Sequence, residues 1–363
     1  MKKPFRSFLL EKFSRRKFLL DLVISSASIG HVPLLQSCSG NSTSGNSTSG
    51  NSTPPHLSKI VRVTNSNATD ATGNKDNDNL NDNVINEMVD KGIIKFTGKS
   101  SVEEAWAEII PDPNKKVAIK VNCQIKGIYT KSKVVKAVTD GLILRGVAPS
   151  NIIIYDLTDN AFSFAGFQKN LGSGIKVGTN EELGGYSSTA WFEPPGSNVM
   201  QRFCKVLAGE GIYGCDYLIN IPVQKALDGY SGVSISMKNH FGSISQPAAM
   251  HATIQDSIAN LNAHDLIVNK TRLILMDAIF TEYKWVTGQN QEGVGRDYVE
   301  TTNQLLFGTD PVAIDYLGWQ SIENLRQLND LQAIQPQPTF IEIASLFFGL
   351  GNYEMQNITL IDL

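Results

Sequence analysis

Three lysines, three asparagines and a histidine fall at or just past the ends of apolar runs, the place where α/β folds bind ligands. Tyr217-Leu218-Ile219 ends in Asn220, followed by Pro222 and Lys225. Val233-Ser234-Ile235-Ser236-Met237, a second β-rich run, delivers Lys238, Asn239 and His240 together before Gly242 closes the turn. A third run, Val117-Ala118-Ile119-Lys120-Val121-Asn122, also ends in polar groups. A lysine at the end of an apolar strand must reach solvent, an internal carboxylate or a bound anion. One reading pairs these ammonium groups with Asp156, Asp277 or Asp315 inside the fold. The other makes a pocket for an anionic small molecule, with Lys120, Lys225 and Lys238 supplying charge and Asn122, Asn220 and Asn239 orientation. In that pocket His240 acts beside Lys238 as the catalytic proton carrier, because imidazole titrates near neutral pH. A third reading has His240 and His251 hold a metal with nearby acids. No tight helical spacing supports it, and no residue is assigned as a metal ligand.

The surrounding pattern supplies elements to hold these groups. Residues 117–122 and 152–156 read as strands, and 132–145 as the helix between them, with Val134, Val135, Val138, Leu142 and Ile143 on its apolar side. That strand–helix–strand order implies a βαβ unit and a parallel sheet. Strands are also expected at 59–63, at 272–277 ending in Asp277, and at 358–361. Helices are expected from 84 to 91, from a capping serine at 100–101, and over 198–207, 251–266 and 340–348. Asp310 reads as an N-cap with Pro311 opening another helix. The Gly- and Ser-rich residues 173–195 read as a surface excursion, and the loop around Gly293 and Gly295 is too little for a phosphate cradle. The predicted fold is α/β: a mostly parallel or mixed sheet flanked by helices, in one compact body with room for two sub-lobes.

Composition excludes several classes. Residues 1–38 carry seven basic and two acidic groups, which leaves 25 basic against 33 acidic residues, a net charge of −8, in the remainder. An acidic body gives no footprint for nucleic acid. Cys38, Cys123, Cys204 and Cys215 form no CxxC pair, so there is no iron–sulfur or zinc-ribbon motif, and the residues name no cofactor.

The N-terminus reads as an address. Ser14-Arg15-Arg16-Lys17-Phe18-Leu19-Leu20 matches a twin-arginine export signal, and the apolar segment after it is interrupted by Asp21 and His31. Leu35-Gln36-Ser37-Cys38 resembles a lipobox, with lipid expected on Cys38. Gly/Asn/Ser/Thr repeats then lead to Pro54-Pro55 and read as a tether that has no core to bury. The expected organisation is a signal peptide at 1–37, a disordered tether at 38–56 and an α/β domain at 57–363. The expected partners are the twin-arginine export machinery and, through the Cys38 lipid, a membrane. The expected location is the periplasmic side of the cell envelope.

Thr97-Gly98 with Glu104-Ala105-Trp106, then Ala118-Ile119-Lys120-Val121-Asn122, Asp216-Tyr217-Leu218-Ile219-Asn220, Met237-Lys238-Asn239 with Gly242, and Asp310-Pro311-Val312-Ala313-Ile314-Asp315 together resemble the DUF362 family. The resemblance spans roughly 57–363. It implies no reaction, because the family's activity is unassigned. Some members carry ferredoxin-type cysteine motifs, which this sequence lacks. The family's Lys-x-His segment reads Lys225-Ala226-Leu227 here. The sequence thus points to an exported lipoprotein binding, and even transforming, an anionic small molecule. The alternatives are a non-catalytic binding or assembly lipoprotein and a metal-dependent enzyme using His240 and His251.

Overall fold

Strands expose successive side chains on opposite faces, and here that alternation sorts residues into two cores on either side of one sheet. The computed structural model describes residues 57–70, 79–125, 127–160, 162–286 and 298–363. These lie in one unit, residues 54–363. The signal at 1–37, the tether at 38–56, Cys38 and the loop around Gly293 lie outside the described residues.

β1 (Ser58–Thr64) is followed by α1 (Asp82–Thr97), α2 (Val102–Ile109), β2 (Val117–Lys120), α3 (Ser132–Leu144) and β3 (Ile152–Asp156). Asn81 and Ser101 cap α1 and α2 by accepting from the Val84 and Glu104 amides. β4 (Lys176–Thr179), β5 (Tyr186–Phe192), β6 (Gln201–Cys204) and α4 (Lys205–Ala208) come next. β7 (Tyr217–Asn220), β8 (Val223–Leu227), β9 (Gly232–Ser234) and α5 (Ser236–Asn239) form the centre of the chain. α6 (Ile254–Asn262), α7 (Asp265–Val268), β10 (Thr271–Glu282), β11 (Val299–Gly308), α8 (Pro311–Leu328), α9 (Phe340–Phe348) and β12 (Ile358–Asp362) complete it.

The main sheet has ten strands among the described residues, with a path β12-β1-β11-β10-β7-β2-β3-β4. β2, β3, β4, β7 and β10 pair in parallel, whereas β11 is antiparallel to both β1 and β10. The sheet is mixed and the fold α/β, as the patterns imply. β10 has two successive partners: its first residues pair with β7, and Asp277 and Glu282 pair with β8. Where β7 stops at Asn220, the antiparallel β8–β9 hairpin takes its place.

In β2, Val117 and Ile119 join one core with residues of α1, α2 and α3, while Ala118 joins the other with residues of α6, α8 and α9. Burying each such aliphatic side chain contributes about 1.5–3 kcal/mol. Gly141 lies inside α3, where glycine costs about 0.5–1 kcal/mol against alanine. A Cβ there would fall on the Trp106 indole, and Trp106 is fully buried, so close packing explains the glycine.

Four expectations are corrected. Only 232–234 of the run near Val233 is strand; Ser236 to Asn239 is a short helix. Residues 198–207 hold a strand, Gln201–Cys204, before a single helical turn, not one helix. The excursion at 173–195 contains β4 and β5. The strand expected to end at Asp277 runs on to Glu282. Among the described residues no helix is long and apolar enough to cross a membrane.

Candidate functional site

Parallel pairing places the ends of β2 and β7 side by side: Lys120 is in register with Asn220. Period-two alternation turns both side chains to the face of Ala118 and Leu218, away from Ile119 and Ile219. α5 sits over that face. Asp315 of α8, fully buried, fixes its start by accepting from the Ser236 amide (2.7 Å), the Ser236 hydroxyl (2.5 Å) and the Met237 amide (3.1 Å). Burial still pushes the Asp315 carboxyl up to about 7, against the pull of those donors. Asp315 is thus a packing anchor rather than a partner of a lysine. Asp310 is the N-cap expected of it, accepting from the Ala313 amide.

Six of the seven candidate residues join one buried hydrogen-bonded network. Lys120 Nζ donates to the Val121 carbonyl (2.6 Å), Asp156 Oδ1 (2.6 Å) and Asn239 Oδ1 (3.2 Å), which uses all three of its protons. Asp156 also accepts from the Cys123 and Leu157 amides at 2.6 and 2.7 Å. Asn239 Oδ1 accepts from Asn122 Nδ2 (3.1 Å), and Asn239 Nδ2 donates to Asn220 Oδ1 (2.7 Å). Lys225 reaches the network from β8, donating to Asn122 Oδ1 at 2.8 Å. For Lys120 the internal ion pair with Asp156 is therefore real, both side chains being 4% exposed or less.

His240 is 1% exposed. Its Nε2 lies 3.3 Å from Asn220 Nδ2, which donates to it, so the ring proton sits on Nδ1, 3.4 Å from the Ser243 hydroxyl. Ser243 in turn meets the Tyr155 hydroxyl at 3.1 Å. Burial first, and then the Lys120 charge, push the imidazole down to about 3. The titration near neutral pH expected of His240 is therefore not supported; the ring is a neutral hydrogen-bonding strut at that pH.

Lys238 is the seventh residue, and it stands apart. It is partly exposed, its Nζ lies 4.3 Å from the Phe241 ring centroid, and it has no hydrogen-bond or ion-pair partner among the described residues. Burial, with a smaller contribution from Lys225, pushes its ammonium down to about 7, so this group titrates where His240 does not. His251 stacks near Phe241 at 6.2 Å and tilts against Tyr230 at 5.8 Å. No group of three or more His, Cys, Asp or Glu gathers to hold a metal among the described residues, and His240 and His251 occupy different surroundings.

Two features escaped the sequence, the burial of Glu282 beside Lys225 and the close approach at Gly242. Glu282, 4% exposed, is in register with Lys225 across β10 and β8, and its Oε2 has no hydrogen-bond partner among the described residues. Burial pushes the Glu282 carboxyl up and the Lys225 ammonium down, each partly restored by the other's charge. Asp156, one of the three carboxylates expected to pair with a lysine, is the counterion of Lys120. Gly242 backs the site: a Cβ there would lie 2.5 Å from both Lys120 Nζ and Asp156 Oδ1, so only glycine lets this backbone close over the pair. A cavity of about 610 Å³ beside Tyr316, Trp319, Glu342 and Tyr353 shares no lining residue with the network.

The family model described as Domain of unknown function (DUF362) matches residues 117–320. The chain belongs to the DUF362 family. Every residue of the network, from Lys120 to Asp315, lies within that DUF362 match. A comparison with curated proteins finds no match.

Proposed function

We propose that this DUF362 chain is an exported lipoprotein that binds an anionic small molecule against Lys238. The supporting observation is the graded use of three lysines. Among the described residues Lys120 uses three donors inside the protein, Lys225 one, and Lys238 none. Asp156 offsets the charge of Lys120, and Glu282 lies in register with Lys225, while among the described residues Lys238 meets an aromatic face alone. A monoanion supplies what Lys238 lacks, and charge-assisted hydrogen bonds are about twice as strong as neutral ones. Asn122, Asn220, Asn239 and His240 hold the lysines in place, and Lys238, rather than His240, is the proton carrier.

The ligand meets the ammonium form, so affinity is full below about pH 7 and falls about tenfold for each pH unit above it. Acetate, L-lactate or inorganic phosphate at 100 times Kd should stabilise the protein by about 2.7 kcal/mol. The Lys238→Met variant, which keeps a side chain on the Phe241 ring, should fold normally and lose that response. If none of these anions raises the melting temperature of the wild type above a chloride control, the proposal fails.

The export reading rests on Arg15-Arg16 and Cys38. Replacing both arginines by lysine should leave the protein in the cytoplasm, and unchanged export would contradict it.

A further inference from the structure

The β9–β8–β10 ladder sets Ser234, Lys225 and Glu282 side by side, because Lys225 is in register with Ser234 on one side and Glu282 on the other. Paired residues on adjacent strands present their side chains to the same face. All three are buried: Ser234 is 5% exposed, Lys225 2% and Glu282 4%. Their hydrogen bonds do not balance within the protein. Lys225 has three N–H donors and one acceptor, Asn122 Oδ1. Glu282 Oε2 is a buried acceptor with no donor among the described residues. Lys238 adds three more donors next to Asn239, which meets Asn122, the acceptor of Lys225.

The inventory has two parts. The lysine donors call for a group rich in acceptors, and Glu282 calls for a donor. Acetate meets only the first demand. We infer that the ligand is a hydroxy acid, its carboxylate meeting Lys238 and Lys225 and its hydroxyl donating to Glu282 Oε2. This rests on the anion reading above and narrows its substrate class. Glu282 is then the specificity-determining residue, because a buried acceptor left without a donor penalises every ligand that lacks the hydroxyl.

L-lactate and propionate differ by that hydroxyl and test the point directly by calorimetric titration at pH 6.5. The wild type should bind L-lactate at least tenfold more tightly than propionate. Glu282→Leu should bring the two affinities within about threefold, and Glu282→Gln, which keeps a weaker acceptor and serves if the leucine variant does not fold, should shrink the preference without abolishing it. Equal wild-type affinities, both lost in Lys238→Met, overturn the hydroxy-acid assignment and leave the anion site standing. A lactate preference unchanged in both Glu282 variants also overturns it. No binding of either acid removes the anion reading on which the assignment depends.

Discussion

Replacing Asp156 by alanine should destabilise the protein by about 3–5 kcal/mol, the cost of leaving one member of a buried ion pair without its partner. Lys120 is 1% exposed and has no second carboxylate in its hydrogen-bond set, while the Cys123 and Leu157 amides lose their acceptor as well. Folded domains hold only about 5–15 kcal/mol in total, so a loss of this size moves the denaturation midpoint substantially. Combining Asp156→Leu with Lys120→Met removes both charges and should recover much of the loss, since replacing an entire buried pair by apolar groups is often close to neutral. A loss under about 1 kcal/mol for Asp156→Ala would mean that Lys120 finds another counterion and that the pair does not organise the strand ends.

Asp315→Ala should cost about 3 kcal/mol or more, because it strands the Ser236 and Met237 amides in a buried place and leaves the Ser236 hydroxyl only the Pro311 carbonyl. Its second consequence is functional. α5 carries Lys238 and Asn239 and leads into His240, so freeing its first turn should weaken anion-induced stabilisation although Asp315 touches none of the three. Wild-type anion binding in a folded Asp315→Ala protein would show that α5 is positioned by something else. The pH dependence has a definite sign. The folded-state carboxyl is raised to about 7, above its unfolded value near 4. Between those values the unfolded chain gives up its proton first, so this residue makes stability fall as pH rises from about 4 to 7. Asp315→Asn should remove that slope in a series of denaturation midpoints.

Much of the site was legible because parallel strands share a C-terminal edge. Once 117–122 and 217–220 read as strands, Lys120, Asn122 and Asn220 had to meet there, and the structure joins them to Asn239 and Lys225. The helix and strand that follow β2 were equally clear from their periods. The alternation of Val233 to Met237 misled: Ile235 and Met237 fit a strand, but the Asp315 carboxylate captures two successive amides and winds the chain into helix. Tertiary context overrode local propensity. Glu282 stayed hidden because β10 outlasts β7 and takes up β8, a change of partner no single run announces. The continuation Ile279-Phe280-Thr281 past Asp277 was the available signal. β5 and β6 form a small two-stranded sheet of their own, and their Gly- and Ser-rich surroundings mask them. The charge of Lys238 was legible, but its lack of an internal partner depends on where Phe241 sits.

The most direct measurement follows the Lys238 ε-carbon through a pH titration by NMR, assigned by its disappearance in Lys238→Met and repeated with saturating L-lactate. With the site free, the midpoint should lie near 7, and with the anion bound it should move upward because the carboxylate favours the ammonium form. A midpoint near the ordinary lysine value of about 10.4, unmoved by the acid, would place Lys238 in open solvent and contradict the anion site.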